Sequence, residues 1–554
     1  MKLRLAAAIA LVLTVAACDA AGPGPLAQGE REQGAPIVPI QKSPPSLATA
    51  IGTSADLGPA GASTTVSLSF ALKVRNKAEL DGLLAGGAVV SPAEYTARFG
   101  PDPSAVRRAV SAIHAAGLTA SWRPGSSLIT ADGNAPAAAA LLQVAIDTYR
   151  LPDGSTFYAA VDQPTLPPAV AAVSTGVSGL DNYRRARGFA VKPGGLAPND
   201  VLAYYNIKPL RDAGLDGKGQ TIVLPEIDNL PNLNDLNKFA SKYGLPSLGE
   251  VLTIKKDPSW GTPEKPQGET VLDLEIIHAV APKAQLVVYI SAADFGHTTR
   301  AFDQMVTDHL GSIISESLGS CETDTPSGVR NVYASIQDRA LALGMSHFVA
   351  SGDSGAFTCG ADQDAAGSFP STLPTLTAVG GTTVFESKEG LYFKEYAWGS
   401  PIDQSGGGGG ASQFYTIPDY QKNVAQSIGR GERQVPDVSA AADPLTGFHI
   451  IFNGREGQAG GTSAAAPLWA ATVALINQDL KAKGLREVGF ANPALYWMGE
   501  NSAKLNPKPF HDVTAGNNLG FVASPGWDFA TGWGSMDAAA LDAAWIIYVR
   551  SGGG

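Results

Sequence analysis

The sequence predicts an α/β protein, a doubly wound parallel sheet covered by helices on both faces, preceded by a small α+β unit. Three observations lead there. From Gly219 onward, near-continuous apolar runs recur at Thr221–Ile227, Gln285–Ile290, Ser312–Leu318, Ser346–Ser351 and Leu376–Val379. Helical segments at Glu269–Val280, Asn331–Leu343 and Ser463–Lys481 alternate with them, the pattern of a parallel sheet buried on both sides. Ahead of them, residues 65–161 read strand-helix-strand-strand-helix-strand, the ferredoxin-like split βαβ order.

Length and composition agree. The 554 residues suffice for two to four domains of about 100–200 residues each. With 44% hydrophobic and 16% charged residues, the chain has a core to bury, and whole-chain disorder is excluded. A net charge of −11 argues against nucleic acid or an anionic membrane surface as partner. The 63 glycines and 38 prolines follow no collagen-like period and indicate many tight turns. Three cysteines are too few for a disulfide scaffold or a thiolate metal cluster, and there are only seven histidines.

Residues 1–18 read as an export signal. Lys2 and Arg4 precede a 13-residue apolar run, Leu5 to Ala17, too short to span a bilayer. Val15-Ala16-Ala17-Cys18 resembles the bacterial lipobox, in which Cys18 would carry lipid; the alternative is an ordinary signal cleaved nearby. Either way the protein is expected to leave a bacterial cell, secreted or lipid-anchored in the periplasm or at the outer surface. That lipid would be its one membrane attachment. Cys321 and Cys359 then form one disulfide, which an oxidising compartment permits, or remain two buried thiols. Residues 19–64 hold seven Pro, seven Gly and no aromatic, and read as a disordered tether.

The N-terminal unit, 65–180, is expected to contain a strand at Thr65–Lys73, a helix at Ser104–Gly117, and strands at Thr119–Trp122 and Ser127–Ala131. A helix at Ala135–Asp147 behind an Asn134 cap and a strand at Thr156–Val161 complete it. The unit has no cluster of nucleophile, base or ligand residues. Residues 181–200, with Arg184, Arg185, Arg187 and Pro193-Gly194-Gly195, read as an exposed linker open to processing. Residues 201–554 form the second unit.

Its unusual residues fall where strands end and helices begin, the site-forming edge of such sheets. In Gly460-Gly461-Thr462-Ser463-Ala464-Ala465-Ala466-Pro467, a serine opens a long apolar helix. Orphan N–H groups and the helix dipole there favour developing negative charge. The string resembles the nucleophile motif of subtilisin-like folds. On the Glu269–Val280 helix, where such an enzyme has its histidine base, Glu269 and Asp273 share one face, about 6 Å apart. His278, in Ile277-His278-Ala279-Val280, reads as a packed helical histidine. Ser351-Gly352-Asp353-Ser354-Gly355 follows a strand. Asp353, protonated, could donate a hydrogen bond to an oxyanion.

Together, Glu269, Asp273, Asp353 and Ser463 resemble the sedolisins, the serine-carboxyl peptidases, and in particular their kumamolisin-like proenzymes. Further matches run from Ala93-Glu94-Tyr95-Thr96-Ala97-Arg98-Phe99-Gly100-Pro101 and Val177-Ser178-Gly179-Leu180 to Phe369-Pro370-Ser371, Ser405-Gly406-Gly407-Gly408, Pro418-Asp419-Tyr420-Gln421 and Val435-Pro436-Asp437-Val438. The resemblance implies a subtilisin-like peptidase domain behind an activation prodomain. It implies Ser463 as nucleophile, Glu269 as base, Asp273 as its orienting partner and Asp353 as oxyanion donor. Glu226 matches a further carboxyl of some members, whereas the tryptophan that accompanies it is missing from 321–330. Ser317-Leu318-Gly319 would pair with an extended substrate. One calcium ion would be held by Asp512, Asp528 and the carbonyls of Val513, Ser524 and Gly526. Partners would be protein or peptide substrates and the chain's own prodomain acting as inhibitor, on a monomer. Carboxyls in place of histidine imply activity at roughly pH 3–5. A silent exported binding protein and a serine esterase are the alternatives; all four filled positions argue against the first, and the absence of a Gly-x-Ser-x-Gly frame at Ser463 against the second.

Overall fold

A computed structural model describes residues 47–85, 88–183, 191–192, 195–230, 232–360, 366–387, 390–424 and 431–552. The export signal, Cys18, the tether up to residue 46, and 184–190 with its three arginines lie outside these residues. No helix among the described residues is long and apolar enough to cross a membrane.

The second unit is built on one central sheet. Its strands lie in the order Leu252–Lys255, Gln285–Ile290, Thr221–Glu226, Ile313–Glu316, Ser346–Ala350, Thr377–Glu386, all parallel, with Tyr392–Ala397 added antiparallel at one edge. Val438–Ala441 also pairs in parallel with Thr377–Glu386. The chain runs outward from Thr221–Glu226 to one side and then returns across it to Ile313–Glu316. The carboxyl ends of those two strands therefore frame the switch point, where a doubly wound sheet opens a crevice. The apolar runs read from sequence are these strands, and their residues are almost wholly buried.

Two helices face that crevice. In Glu269–Val280 all twelve residues are buried, so its carboxyls have no solvated face. Thr462–Ala482 packs beside it, buried through most of its 21 residues. Both belong to the main core cluster with Leu224, Val288, Phe348 and Trp469.

The N-terminal unit is a four-stranded antiparallel sheet in the order Thr119–Ser121, Leu128–Asn134, Thr65–Leu72, Ser174–Ser178. Asp102 and Asn134 cap its helices Pro103–Ala115 and Ala135–Leu142, accepting from Ala105 N–H at 2.7 Å and Ala137 N–H at 2.9 Å. Three expectations are corrected here. The second helix stops at Leu142 rather than Asp147, because Gln143 adopts the left-handed conformation at φ +52° and Asp147–Arg150 continues as a strand. The fourth strand of the sheet is Ser174–Ser178, whereas the predicted Thr156–Val161 strand, observed as Thr156–Ala159, joins a separate three-stranded sheet with Asp147–Arg150 and Ala55–Pro59. Residues 47–64 are not a tether: Leu47–Thr53 is helical and Ala55–Pro59 pairs with Asp147–Arg150, because Leu47 and Ala50 bury against Tyr149 and Phe157.

The sheet of this unit rests on helices Phe295–Asp308 and Ser327–Ala342. Ala71, Leu80, Val90, Phe99 and Leu128 share one cluster with Phe302, Met305, Val332 and Ile336. Arg300, 4% exposed, donates to the Leu68 carbonyl at 3.1 Å and pairs with Asp132 at 2.9 Å. Asp303 accepts from Ser126 Oγ at 2.7 Å and Ser127 N–H at 3.0 Å, and Asp303 pairs with Arg339. The Arg300–Asp132 pair, the Arg300 bond to the Leu68 carbonyl and the Asp303 bonds to Ser126 and Ser127 link the two units.

Where the Thr462–Ala482 and Ala538–Arg550 helices meet, Asp542 hydrogen-bonds Asp479, whose other partner is Lys483. Burial, and next the Asp479 charge, push Asp542 up to about 7. Between about pH 4 and 7 the fold then binds more protons at this group than the unfolded chain does, so stability falls as pH rises through that window. Asp542→Asn should melt above the wild type at pH 7 and with it at pH 4. Equal melting temperatures at pH 7 would show that the pair carries no such cost.

Candidate active site

The carboxyl end of the Thr221–Glu226 strand, the start of the Glu269–Val280 helix, the Ser317 segment and the start of the Thr462–Ala482 helix converge on one point. Glu226, Glu269, Asp273 and Ser463 are each 1% exposed or less. The link between the two helices is Ser317. Its hydroxyl stands 2.7 Å from Asp273 Oδ2 and 3.1 Å from the Ser463 carbonyl oxygen. That carbonyl is free of the helix because Pro467, four residues on, has no N–H to donate. The proline of the sequence motif thus opens the acceptor that Ser317 fills. The Ser463 hydroxyl lies 3.4 Å from the Ser317 carbonyl.

The Ser317 hydroxyl has one proton for two acceptors, and the neighbouring electrostatics show where others reside. Asp273 is pushed well above the carboxylate range by burial, while hydrogen bonds from Ser317 and Glu226 oppose the shift. Glu226 is pushed well above it by burial first and then by the charges of Asp273, Asp228 and Glu269. Buried carboxyls this close share protons and titrate as a group.

Asp353 stands on the other side of the serine, 5% exposed. Its Oδ1 accepts from the Thr462 N–H at 2.7 Å and the Thr462 hydroxyl at 2.8 Å. Its Oδ2 packs over Gly461, where a Cβ would lie 2.5 Å away, at φ +100°. Only glycine leaves room for both the backbone and the carboxyl. Burial raises Asp353 to about 6 against the pull of the two Thr462 bonds. The Gly-rich Ser405–Gly408 string explains itself here: Gly406 N–H donates to the Asp353 carbonyl at 2.9 Å and Gly408 N–H to that of Gly352 at 2.7 Å. A Cβ on Gly408 would meet the Ser351 carbonyl.

The remaining assigned residues fall as follows. His278 is buried away from the serine, with Nε2 2.8 Å from the Pro246 carbonyl. Cys321 and Cys359 are joined as a disulfide. Leu318 packs with Ile227 and Ala293 beside the site, and Ser320–Cys321 pairs with Ser368–Phe369. Asp512 and Asp528 meet across one loop: Asp512 Oδ2 accepts from Gly526 N–H at 3.0 Å and Asp528 Oδ2 from Ser524 N–H at 2.7 Å. Among the described residues no three His, Cys, Asp or Glu gather to hold a metal. The carboxylates of Asp512 and Asp528, with the backbone carbonyls of Val513, Ser524 and Gly526 on the same loop, are a hard-oxygen donor set of the kind calcium takes.

Three contributors escaped the sequence reading: the side chain of Ser317, Thr462 and Asp228. Thr462 lay in the quoted motif, and Asp228 two residues past Glu226, so each had a positional signal. Nothing in the sequence indicated what they would meet.

Residues 53–183 match the Pro-kumamolisin activation domain, and residues 259–534 match the Subtilase family. Kumamolisin of Bacillus sp. (strain MN-32) is 34% identical over 418 residues, covering 69% of this chain and 72% of that protein. Sedolisin of Pseudomonas sp. (strain 101) is 30% identical over 534 residues, covering 89% of this chain and 88% of that protein. Among solved structures, Pseudomonas sedolisin, a serine-carboxyl proteinase complexed with two molecules of pseudo-iodotyrostatin, superposes with a TM-score of 0.56 at 31% identity, covering 65% of this chain and 100% of that one. The chain therefore belongs to the sedolisin family of serine-carboxyl peptidases, hydrolases of peptide bonds, and carries an activation domain ahead of its peptidase domain.

Proposed function

We propose that the chain is exported as a self-processing proenzyme that cleaves peptide bonds in acid through an acyl-enzyme on Ser463. The observation that carries this reading is the Ser317 hydroxyl spanning Asp273 and the Ser463 carbonyl, which ties a proton-holding carboxyl group to a helix-start serine. Glu269, one turn before Asp273 on the same helix, takes the Ser463 Oγ proton as the oxygen attacks the peptide carbonyl carbon. Asp273, backed by Glu226, orients Glu269 as the aspartate of a Ser-His-Asp triad orients its histidine. The oxyanion accepts a hydrogen bond from protonated Asp353, whose Oδ1 is already engaged by Thr462. Glu269 then passes its proton to the leaving amine, and water enters by the same steps in reverse. Ser317-Leu318-Gly319 offers backbone groups to an extended substrate.

The contacts of the activation domain with Arg300 and Asp303, and of its Gly125 carbonyl with Arg339, support an inhibitory role. The stretch from Lys2 to Cys18 supports export, with lipid on Cys18 as the anchor of a monomeric enzyme. Asp512, Asp528 and the carbonyls of Val513, Ser524 and Gly526 would hold one calcium ion, which would stabilise the loop.

Ser463→Ala, Glu269→Gln and Asp273→Asn should each lower kcat/KM by about 10³-fold or more. Each should also leave purified, acidified precursor at full length by intact mass. Full-rate processing by Ser463→Ala would overturn the mechanism.

The pH profile has a definite sign. Asp353 is protonated below about 6 and donates; above it the carboxylate repels the oxyanion. Activity should therefore fall as pH rises through about 6, and fall again in stronger acid as the base cluster takes up its last proton. Asp353→Asn, a donor that does not titrate, should flatten the alkaline limb. An unchanged alkaline limb in that variant would assign it to another group.

For calcium, chelation of the purified enzyme should lower its melting temperature, and Asp512→Ala should melt at the chelated value with or without chelator. Superimposable melting curves of wild type with and without chelator would remove the ion from this account.

A further inference from the structure

Asp228, two residues beyond Glu226, is 2% exposed, and no step above uses it. Its carboxyl is spent on the start of the Glu269–Val280 helix. Oδ2 accepts from the Gln267 N–H at 2.8 Å and the Gly268 N–H at 3.0 Å. Oδ1 accepts from the Thr270 N–H at 3.1 Å and from the Thr270 hydroxyl. The helix has no capping side chain of its own, because Gly268 occupies the cap position at φ +106°. A strand-borne carboxylate thus supplies from outside the cap that Ser, Asp or Asn normally supplies from within. The Thr270 hydroxyl also stands 3.2 Å from Glu226 Oε2, so Asp228 and Glu226 meet at one side chain.

We propose that Asp228 is a positioning residue of the peptidase reaction: it clamps the first turn of the helix that carries Glu269 and Asp273, and its charge sets the field that those carboxyls and Glu226 feel. The proposal rests on the assignment of Glu269 as base. Two independent features support it. The first is geometric: four donors fix Asp228 against the one turn whose placement decides where the Glu269 carboxyl stands. The second is the sign of the surroundings. Glu226 faces this point from the strand, and Glu269 and Asp273 from the helix. Glu264 pairs with the Asp228 backbone, Lys256 reaches Asn229 beside it, and the Ser317 segment and the Ser463 helix contribute hydroxyls. Among the described residues no lysine, arginine or histidine forms an ion pair with Asp228, Glu226 or Asp273. The Asp228 charge is thus one of the influences that raise both Glu226 and Asp273.

The test is the pH dependence of kcat/KM for processed enzyme. Asp228→Asn removes the charge, so the cluster should ionise more easily. The acid limb should move down by about one pH unit, while the alkaline limb set by Asp353 stays in place. The maximum should fall through kcat more than KM, because the clamp is weakened. Asp228→Ser, a second uncharged capping side chain, should move the acid limb down in the same way. A cap that only held the helix would lower activity by one factor at every pH, so acid limbs coincident with wild type overturn the proposal. If Asp228→Asn precursor does not fold, Asp228→Ser decides alone: a downward shift supports the proposal and coincidence overturns it. Glu269→Gln, measured alongside, keeps the two readings apart. Wild-type activity in Glu269→Gln would sink the base assignment itself. An inactive Glu269→Gln with unshifted Asp228→Asn would remove Asp228 alone.

Discussion

The structure depends on burying several carboxyls at one helix start, where among the described residues no lysine, arginine or histidine forms an ion pair with Glu226, Asp228 or Asp273. Isolated buried carboxylates are costly, and such groups lower the cost by keeping protons and by sharing hydrogen bonds. Here Glu226, Glu269 and Asp273 lie within one percent of full burial, and Asp228 is little more exposed. The cost is offset in two ways: Glu226 and Asp273 are pushed toward their neutral forms, and Asp228 is spent on backbone N–H groups.

That constraint reaches the rest of the fold. The central sheet delivers Glu226 and Ser317 from adjacent strands at the switch point. Pro467 frees the Ser463 carbonyl for Ser317, and Gly461 clears space for Asp353. Burial also raises Glu395 to about 7 and Asp542 to about 7.

Much of this was legible in the sequence. The five apolar runs are strands of the sheet, Asn134 caps its helix, and the serine string and the four-residue spacing of Glu269 and Asp273 located the helices that form the site. What failed depended on contacts between distant segments. Residues 47–64 looked like a tether by composition, yet a few apolar side chains suffice to order their first part against Tyr149 and Phe157. Ser174–Ser178 is too short and polar to announce itself, and becomes a strand because Thr65–Leu72 offers it an edge. The Phe295–Asp308 helix reads as mixed polar sequence because its Arg300 and Asp303 serve the activation domain rather than solvent. Ser317 and Asp228 are ordinary residues until the fold sets them against Asp273 and the helix start.

The central claim is that the site works by holding protons on buried carboxyls, and proton positions test it most directly. Neutron diffraction of deuterium-exchanged Ser463→Ala crystals at about pH 4.5 should find deuterium on Asp353 Oδ2 and at least one shared within the Glu226, Asp273 and Glu269 group. Maps showing Asp353 and all three of those carboxyls ionised at that pH would contradict the account.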